Sequence, residues 1–379
     1  MATKFNCDVV VVGASMAGAT LALALANTGL EIQLLDRARF PRQVACGEGL
    51  SLAGATILDS LPGMGNLFDL PHEKLFSYRI VGKSDIQIGN NSSKPRVIGI
   101  QRSILDTELH RVISNYPQIT IRPECSVVEV LQSGESVTAT LADGEQIRAR
   151  CLVLASGKNR ALLDRAGFKV TSYMRDRKYG VSAHFVAKHP TQATGMVVFV
   201  ESDYEVYCTP VGAGLWNVNL LATKERLSQL ARNKRLLALA LSSLDRLEIS
   251  ADQVSPFVGA GPFGFRASEV RRGRIWLVGD VRESLDPVGG MGMTHAILTS
   301  CSAAWQIRQY QRVLFSPTLT VPSSTHLRTM TEGARFLIRG IGRSSWLSYL
   351  AQPGLLQVVE NRMQARLHAL LAQLVGVGL

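Results

Sequence analysis

The feature that most constrains this chain lies at its start, where a β-branched run, a glycine turn and an alanine- and leucine-rich helix follow one another. Cys7-Asp8-Val9-Val10-Val11-Val12 is nearly all apolar, as expected of a parallel strand covered on both faces. Gly13-Ala14-Ser15-Met16-Ala17-Gly18 comes next, then Ala19 to Asn27, rich in strong helix formers. The helix is expected to end at Gly29, and Glu31-Ile32-Gln33-Leu34-Leu35-Asp36 reads as a second strand closing on an acid. Asp36 stands eighteen positions past Gly18, close to the ~20 expected of a carboxylate that hydrogen-bonds an adenosine ribose.

Each part of that unit has a physical task. Gly13 permits the sharp turn, and Gly18 lets helix and strand pack closely. A pyrophosphate would sit on the helix N-terminus at Ser15, Met16 and Ala17, where free N–H groups and the helix dipole favour an anion. The middle position of the motif carries Ser15 where glycine is usual; a small serine still lets the backbone approach the phosphates.

The chain is 379 residues long with 46% hydrophobic residues and a formal net charge of +11. That excludes a disordered tail, a collagen-like repeat and a disulfide-stapled miniprotein. At roughly 150 residues per domain it allows two or three core-forming units. Cys7, Cys46, Cys125, Cys151, Cys208 and Cys301 are scattered, with neither a C-x-x-C pair nor metal-ligand spacing. They read as reduced thiols of a cytoplasmic protein with no signal peptide. The charge excess points to nucleic acid, an anionic membrane, an acidic partner protein or an anionic cofactor. Nucleic acid is disfavoured because the basic residues are dispersed and no recognition motif accompanies them.

Beyond Asp36, the basic stretch Arg37-Ala38-Arg39-Phe40-Pro41-Arg42 leads into Cys46-Gly47-Glu48-Gly49-Leu50. Further on come Arg102-Ser103-Ile104-Leu105-Asp106, then Leu152-Val153-Leu154-Ala155-Ser156-Gly157, then Arg274-Ile275-Trp276-Leu277-Val278-Gly279-Asp280. Asp286-Pro287-Val288-Gly289-Gly290-Met291-Gly292-Met293 completes the series. On these motifs, in this order, the chain resembles the flavoprotein monooxygenase superfamily with the p-hydroxybenzoate hydroxylase fold, specifically its geranylgeranyl reductase-like branch. The resemblance covers residues 7 to 300.

That resemblance implies non-covalent FAD, with Arg37, Arg42, Cys46, Gly47 and Glu48 running past it and Arg102 lying against it. It also implies Ser156 and Gly157 closing the nucleotide domain, and Asp280 hydrogen-bonding the ribityl chain. Pro287, Gly289, Gly290, Gly292 and Met293 would start a helix aimed at the flavin pyrimidine ring. A helix N-terminus offers donors and positive potential to a reduced, anionic flavin, and the glycines let backbone approach the ring. After Gly279-Asp280 this chain has Val281-Arg282-Glu283-Ser284 where the family usually has two small residues.

The fold implied is α/β: a Rossmann-like FAD-binding domain with an inserted antiparallel β-sheet substrate domain and a helical C-terminal segment. The expected boundaries are 1–75, 96–165 and 269–325 for the FAD-binding domain, 76–95 and 166–268 for the substrate domain, and 326–379 for C-terminal helices. Alternating strands are expected at 179–185, 196–200, 204–210 and 216–221, followed by one helix over 224–244. Amphipathic helices from about Glu332, broken at Pro353-Gly354, are too short to span a bilayer and read first as core-capping or dimer-forming; lying on an anionic membrane is the other reading.

The activity implied is monooxygenation. FAD reduced by NAD(P)H adds O2 as a C4a-hydroperoxide and hydroxylates an aromatic or polyketide-type small molecule of a biosynthetic pathway. The alternatives are reduction of isoprenoid or lipid double bonds, and action on a carrier- or protein-bound substrate. Only one dinucleotide turn is present, so NAD(P)H is expected to dock transiently or to act through a separate reductase. Halogenation is disfavoured: the halogenase tryptophans are missing around Tyr204 to Pro210, and no lysine can be assigned beside the flavin. His184, Tyr204, Tyr207 and Arg266 are possible pocket residues, more simply read as sheet positions and, for His184, a solvated one. Cys46 reads as a structural thiol. No catalytic side chain is assigned and no metal is expected.

Overall fold

A computed structural model describes residues 5–82, 85–88, 95–172, 178–191, 195–287 and 290–314. The expected C-terminal helices lie outside the described residues.

The opening strand, Cys7–Val12, sits at the centre of a parallel sheet. Ile275–Leu277, Gln146–Leu154, Cys7–Val12, Ile32–Leu35 and Ile119–Arg122 lie side by side in that order, every pairing parallel. Alternate side chains point to opposite faces, and both faces are covered. Val9 and Val11 join a core with the helices Met16–Leu25, Arg102–Ile113 and Gly292–Leu314. Val10 and Val12 join another with the antiparallel strands Val127–Ser133 and Ser136–Leu141. This two-sided burial is why the strand reads as an unbroken apolar run.

The first helix starts earlier than the helix formers suggest, at Met16, and its last turn tightens to a 3-10 helix over Ala26–Thr28. Gly29 then ends it with φ +73°. Gly18 is packing-critical: a Cβ there would overlap the Gly13 carbonyl oxygen and crowd Leu34.

The second large sheet runs Ala251–Gln253, Lys178–Ala187, Leu215–Thr223, Tyr204–Gly212, Gly195–Val200, Ser77–Val81, Asp85–Ile88. Its last two strands come from far earlier in the chain, and Ser77–Val81 joins Gly195–Val200 in parallel, so the sheet is mixed. The four expected strands are present, each slightly longer than expected. The single helix expected over 224–244 is two, Lys224–Arg232 and Leu236–Asp245. The chain turns between them at Lys234, which takes φ +55°; uninterrupted helix propensity concealed that turn.

The alternation in this sheet decides where the chemistry is. Val206, Cys208, Val218, Leu220, Ala183 and Phe185 face the two helices and form an apolar core with Leu227, Ala240 and Leu244. The intervening residues Tyr207, Thr209, Asn217, Asn219, Ser182 and His184 are on the other face of the same strands. In register, Ser182 pairs Asn219 and Asn219 pairs Tyr207, while His184 pairs Asn217 and Asn217 pairs Thr209. Five of these six polar residues are buried, His184 being intermediate.

Candidate functional site

The turn after the first strand is held in three ways. Gly13 takes φ +109°, and a side chain there would overlap the Ala155 carbonyl oxygen. Asp36, 6% exposed, accepts Ala14 N–H on Oδ2 at 2.8 Å and Ala38 N–H on Oδ1 at 2.9 Å. His110 Nε2 donates to the Ala14 carbonyl at 2.6 Å, with Phe40 set edge-on against its ring at 4.4 Å. His110 has no motif spacing, which is why sequence reasoning misses it.

Ser15 does more than stay small. Arg102 Nη2 donates to its hydroxyl at 2.6 Å, and Ser15 Oγ donates to Asp106 Oδ2 at 3.1 Å. Arg102 also pairs with Asp106 at 3.0 Å, one helical turn on. Burial works against the Arg102 charge, but Asp106 and Cys46 together outweigh it and the guanidinium is held above its ordinary range. Serine at the glycine position thus couples the dinucleotide turn to a buried cation.

Glu48, 2% exposed, has φ +56°, a conformation that costs a non-glycine residue about 1–3 kcal/mol and persists only where its surroundings fix it. Two partners do so. Oε1 accepts the backbone N–H of Arg102 at 2.8 Å, at the N-terminus of the helix Arg102–Ile113, and Oε2 receives His184 Nε2 at 2.7 Å. His184 is therefore not a solvated strand position: its side chain is 11% exposed. Cys46 lies alongside; burial raises its thiol pKa, against the pull of Arg102.

These elements surround one cavity of about 660 Å³, within the ~300–1,000 Å³ range of ligand clefts. At one end it is lined by Asp36, Arg37, Arg42, Cys125 and Ser126. Along its length it is lined by Gly13, Ser15, Met16, Ala17, Cys46, Gly47, Glu48, Arg102, Ser156, Gly157 and Asp280. The far end is formed by Pro287, Gly290, Gly292, Met293, Met196, Tyr207, Asn219, Leu221 and Phe263. The structure thus brings together every residue read from the sequence as cofactor-binding, with two exceptions. Gly18 packs helix on strand outside the lining, and Gly289 lies outside the described residues. Arg266 is exposed, and Tyr204 is not in the lining.

Sequence reasoning missed several lining residues. Lys158 pairs with Asp280 at 2.7 Å and lies over the Phe263 ring at 4.4 Å, so a lysine does stand in the cavity. Asn219 was findable from strand alternation, since polar residues at 217 and 219 interrupt an otherwise apolar run, and Tyr207, read from the sequence as a possible pocket residue, lines the same cavity. Tyr207 donates to Glu205 Oε2 at 2.8 Å, and Lys178 reaches Glu205 at 2.5 Å and Asp286 at 3.5 Å. Burial, reinforced by Glu205, pushes the Tyr207 phenol well above its ordinary range.

The residues fit FAD on observations internal to the structure. Ser156 Oγ, Arg102 Nε and Asn219 Oδ1 are buried on the lining residues without a hydrogen-bond partner among the described residues, so polar groups there await a ligand or water. Gly292 begins the long helix beside the cavity, and a Cβ there would meet nothing within 4 Å.

Comparison with known proteins agrees. The FAD binding domain family matches residues 6–312. The menaquinone reductase of Mycobacterium tuberculosis strain H37Rv is 25% identical over 80% of this chain and 77% of its own length. The ubiquinone hydroxylase UbiL of Rhodospirillum rubrum is 25% identical over 82% and 74%, and the para-nitrophenol 4-monooxygenase of a Pseudomonas strain 25% over 76% and 75%. Among solved structures, the flavin-dependent brominase Bmp2 superposes with a TM-score of 0.77 at 18% identity, covering 95% of this chain and 93% of its own. A flavoprotein/dehydrogenase from Cytophaga hutchinsonii gives 0.75 at 18%, covering 88% and 85%. With the dinucleotide turn, its acid and the family match agreeing over most of the chain, the protein belongs to the FAD binding domain family, with the p-hydroxybenzoate hydroxylase type of fold, and is an FAD-dependent oxidoreductase.

Proposed function

We propose that the protein is a monooxygenase that takes electrons from NAD(P)H and uses O2 to hydroxylate an aromatic or polyketide-type small molecule. One observation carries the reading: a single cavity runs from the dinucleotide turn to a substrate-sheet wall that is apolar at Met196, Leu221 and Phe263 and polar at Asn219. FAD, when bound, supplies the two-electron and oxygen chemistry.

The chain's own residues supply position, charge and dryness. Asp36 is placed to hold a ribose, and Arg102, fixed by Ser15 and Asp106, brings positive charge to the cavity wall. With FAD bound, the N-terminus of Gly292–Leu314 would present its first backbone N–H groups and positive potential to the charge of a reduced ring. Met196, Leu221 and Phe263 exclude water from the reacting end. Asn219 offers a buried amide to orient a ring substituent. Tyr207 is committed to Glu205 and helps shape the wall.

Relatives named hydroxylase and monooxygenase support the reading. Relatives named menaquinone reductase support a second one, reduction of an isoprenoid or lipid double bond in the same cavity, which is the chemistry of the geranylgeranyl reductase-like branch. In either case NAD(P)H docks transiently. The positive charge excess favours substrate arriving from an anionic membrane or an acidic carrier.

Turnover of candidate phenols and isoprenoid quinones with NAD(P)H under 18O2 and under strict anaerobiosis separates the two. Label in the product and no anaerobic product are expected. Product formed without oxygen removes the monooxygenase and leaves the reductase.

A further inference from the structure

Glu48 is a buried carboxylate on the cavity wall that the binding of a dinucleotide does not by itself require. Its partner His184 reaches away from the cavity to Ser255, a partly exposed residue. Ser255 Oγ accepts the His184 backbone N–H at 2.8 Å and Gln43 Nε2 at 2.9 Å. A hydroxyl has two acceptor positions and one proton. Both acceptor positions are taken, so the contact between Ser255 Oγ and His184 Nδ1 at 3.3 Å is made by the hydroxyl proton. Nδ1 is then the acceptor, Nε2 carries the ring proton, and that proton points at Glu48 Oε2 at 2.7 Å. The donors and acceptors are aligned in one direction, from the surface inward.

We propose that Ser255, His184 and Glu48 form a proton-delivery path into the cavity. Ser255 passes its hydroxyl proton to Nδ1 as the Nε2 proton moves to Glu48 Oε2. Solvent reprotonates Ser255, and Glu48, now a neutral acid, releases the proton into the cavity. The imidazole resets by a half-turn about its Cβ–Cγ bond, which swings the protonated nitrogen from the Ser255 side to the Glu48 side with no further proton gained or lost. The net movement is one proton from solvent to cavity.

The inference rests on the oxidoreductase reading and supplies a proton that either reaction consumes. Hydroxylation takes RH, O2, NAD(P)H and one proton to ROH, water and NAD(P)+. Double-bond reduction takes the alkene, NAD(P)H and one proton to the alkane and NAD(P)+. The helix N-terminus at Arg102 steadies the charge that Glu48 carries between deliveries, and general acid catalysis of this kind is worth about 10²–10⁴ in rate.

Two measurements test it. In the apoprotein, 15N NMR of the histidine ring should show His184 as the neutral tautomer protonated on Nε2; protonation on Nδ1 alone overturns the path. In the FAD-loaded, photoreduced protein, reoxidation by O2 to hydrogen peroxide needs one proton beyond that on the flavin. Its rate in H2O and D2O should show a solvent isotope effect. His184→Gly and Ser255→Ala should each slow it by about 10-fold or more, and added imidazole should restore His184→Gly, which a purely structural role would not allow. Ser255→Ala lies outside the cavity lining and decides the matter should His184→Gly lose FAD. Reoxidation in Ser255→Ala at the parent rate and isotope effect overturns the proposal. A protein that takes up no FAD fails the oxidoreductase reading instead, which its colourless spectrum reveals directly.

Discussion

Lys158 and Asp280, 122 positions apart, meet at 2.7 Å where two neighbouring parallel strands of the nucleotide sheet end beside the cavity. Gln146–Leu154 delivers the lysine through the Ser156-Gly157 turn, and Ile275–Leu277 delivers the aspartate through a 3-10 turn. Both side chains keep 20–28% exposure, so the pair adds little stability, about 0–1 kcal/mol, and its value lies in placing two charges at the cavity wall.

Asp280→Asn keeps the shape and removes one of those charges. The apoprotein's unfolding free energy in urea should change by no more than about 1 kcal/mol, while the flavin absorbance retained through purification should fall clearly. Full FAD occupancy in the variant would refute the placement of a flavin at this wall.

Asp36 tests the other end. Its carboxylate holds the Ala14 and Ala38 N–H groups, and as a charged acceptor it contributes about 1.5–3 kcal/mol per hydrogen bond. Asp36→Ala should therefore weaken FAD binding by at least ~10-fold, measured by flavin fluorescence quenching on titration into apoprotein. Binding at parental strength would mean that the acid braces the turn without touching the ribose.

The two ends of the cavity were not equally legible in the sequence. Gly13, Gly18 and Asp36 are readable because each does one job fixed by backbone geometry, and such jobs leave a spacing in the chain. His184 and Glu48 are 136 positions apart and meet only because distant segments of the chain fold against each other. Nothing local distinguishes His184 from a solvated strand residue. Lys158 was hidden for the same reason, as its partner Asp280 follows a neighbouring strand and stands 122 positions on. The polar face at Asn217 and Asn219 is intermediate: alternation shows that it exists, and tertiary packing decides that it is buried. Ser15 reads in the sequence only as a departure from the usual glycine, because its partners Arg102 and Asp106 lie in a distant helix.

Tyr207 should couple stability to alkaline pH. Burial, with Glu205 beside it, raises its pKa above the ordinary ~10, so the folded state keeps the proton where the unfolded chain loses it. The folded protein then binds more protons above pH ~10, and the contribution, intact below that value, declines as pH rises further. Tyr207→Phe should cost about 1–3 kcal/mol at pH 8, by loss of the hydrogen bond to a charged acceptor. The gap from the parent should narrow above pH 10, as read from urea unfolding at both values. A gap that widens with pH would contradict the buried, hydrogen-bonded phenol.

The cysteines offer a map of the cavity that uses no turnover. Burial pushes the Cys7, Cys151, Cys208 and Cys301 thiols up to about 12, so at pH 8 almost none of each is thiolate, the form that alkylates. Burial also raises Cys46. Cys125 is half-buried and lines the cavity beside Asp36, whose carbonyl accepts its backbone N–H at 2.8 Å. Iodoacetamide at pH 8 should therefore modify Cys125 first in native apoprotein, with the four buried thiols reacting only after unfolding. Saturating FAD should slow the Cys125 reaction severalfold, as followed by peptide mass spectrometry. Equal rates with and without FAD would show that the dinucleotide does not occupy the end of the cavity that Asp36, Arg37 and Cys125 form.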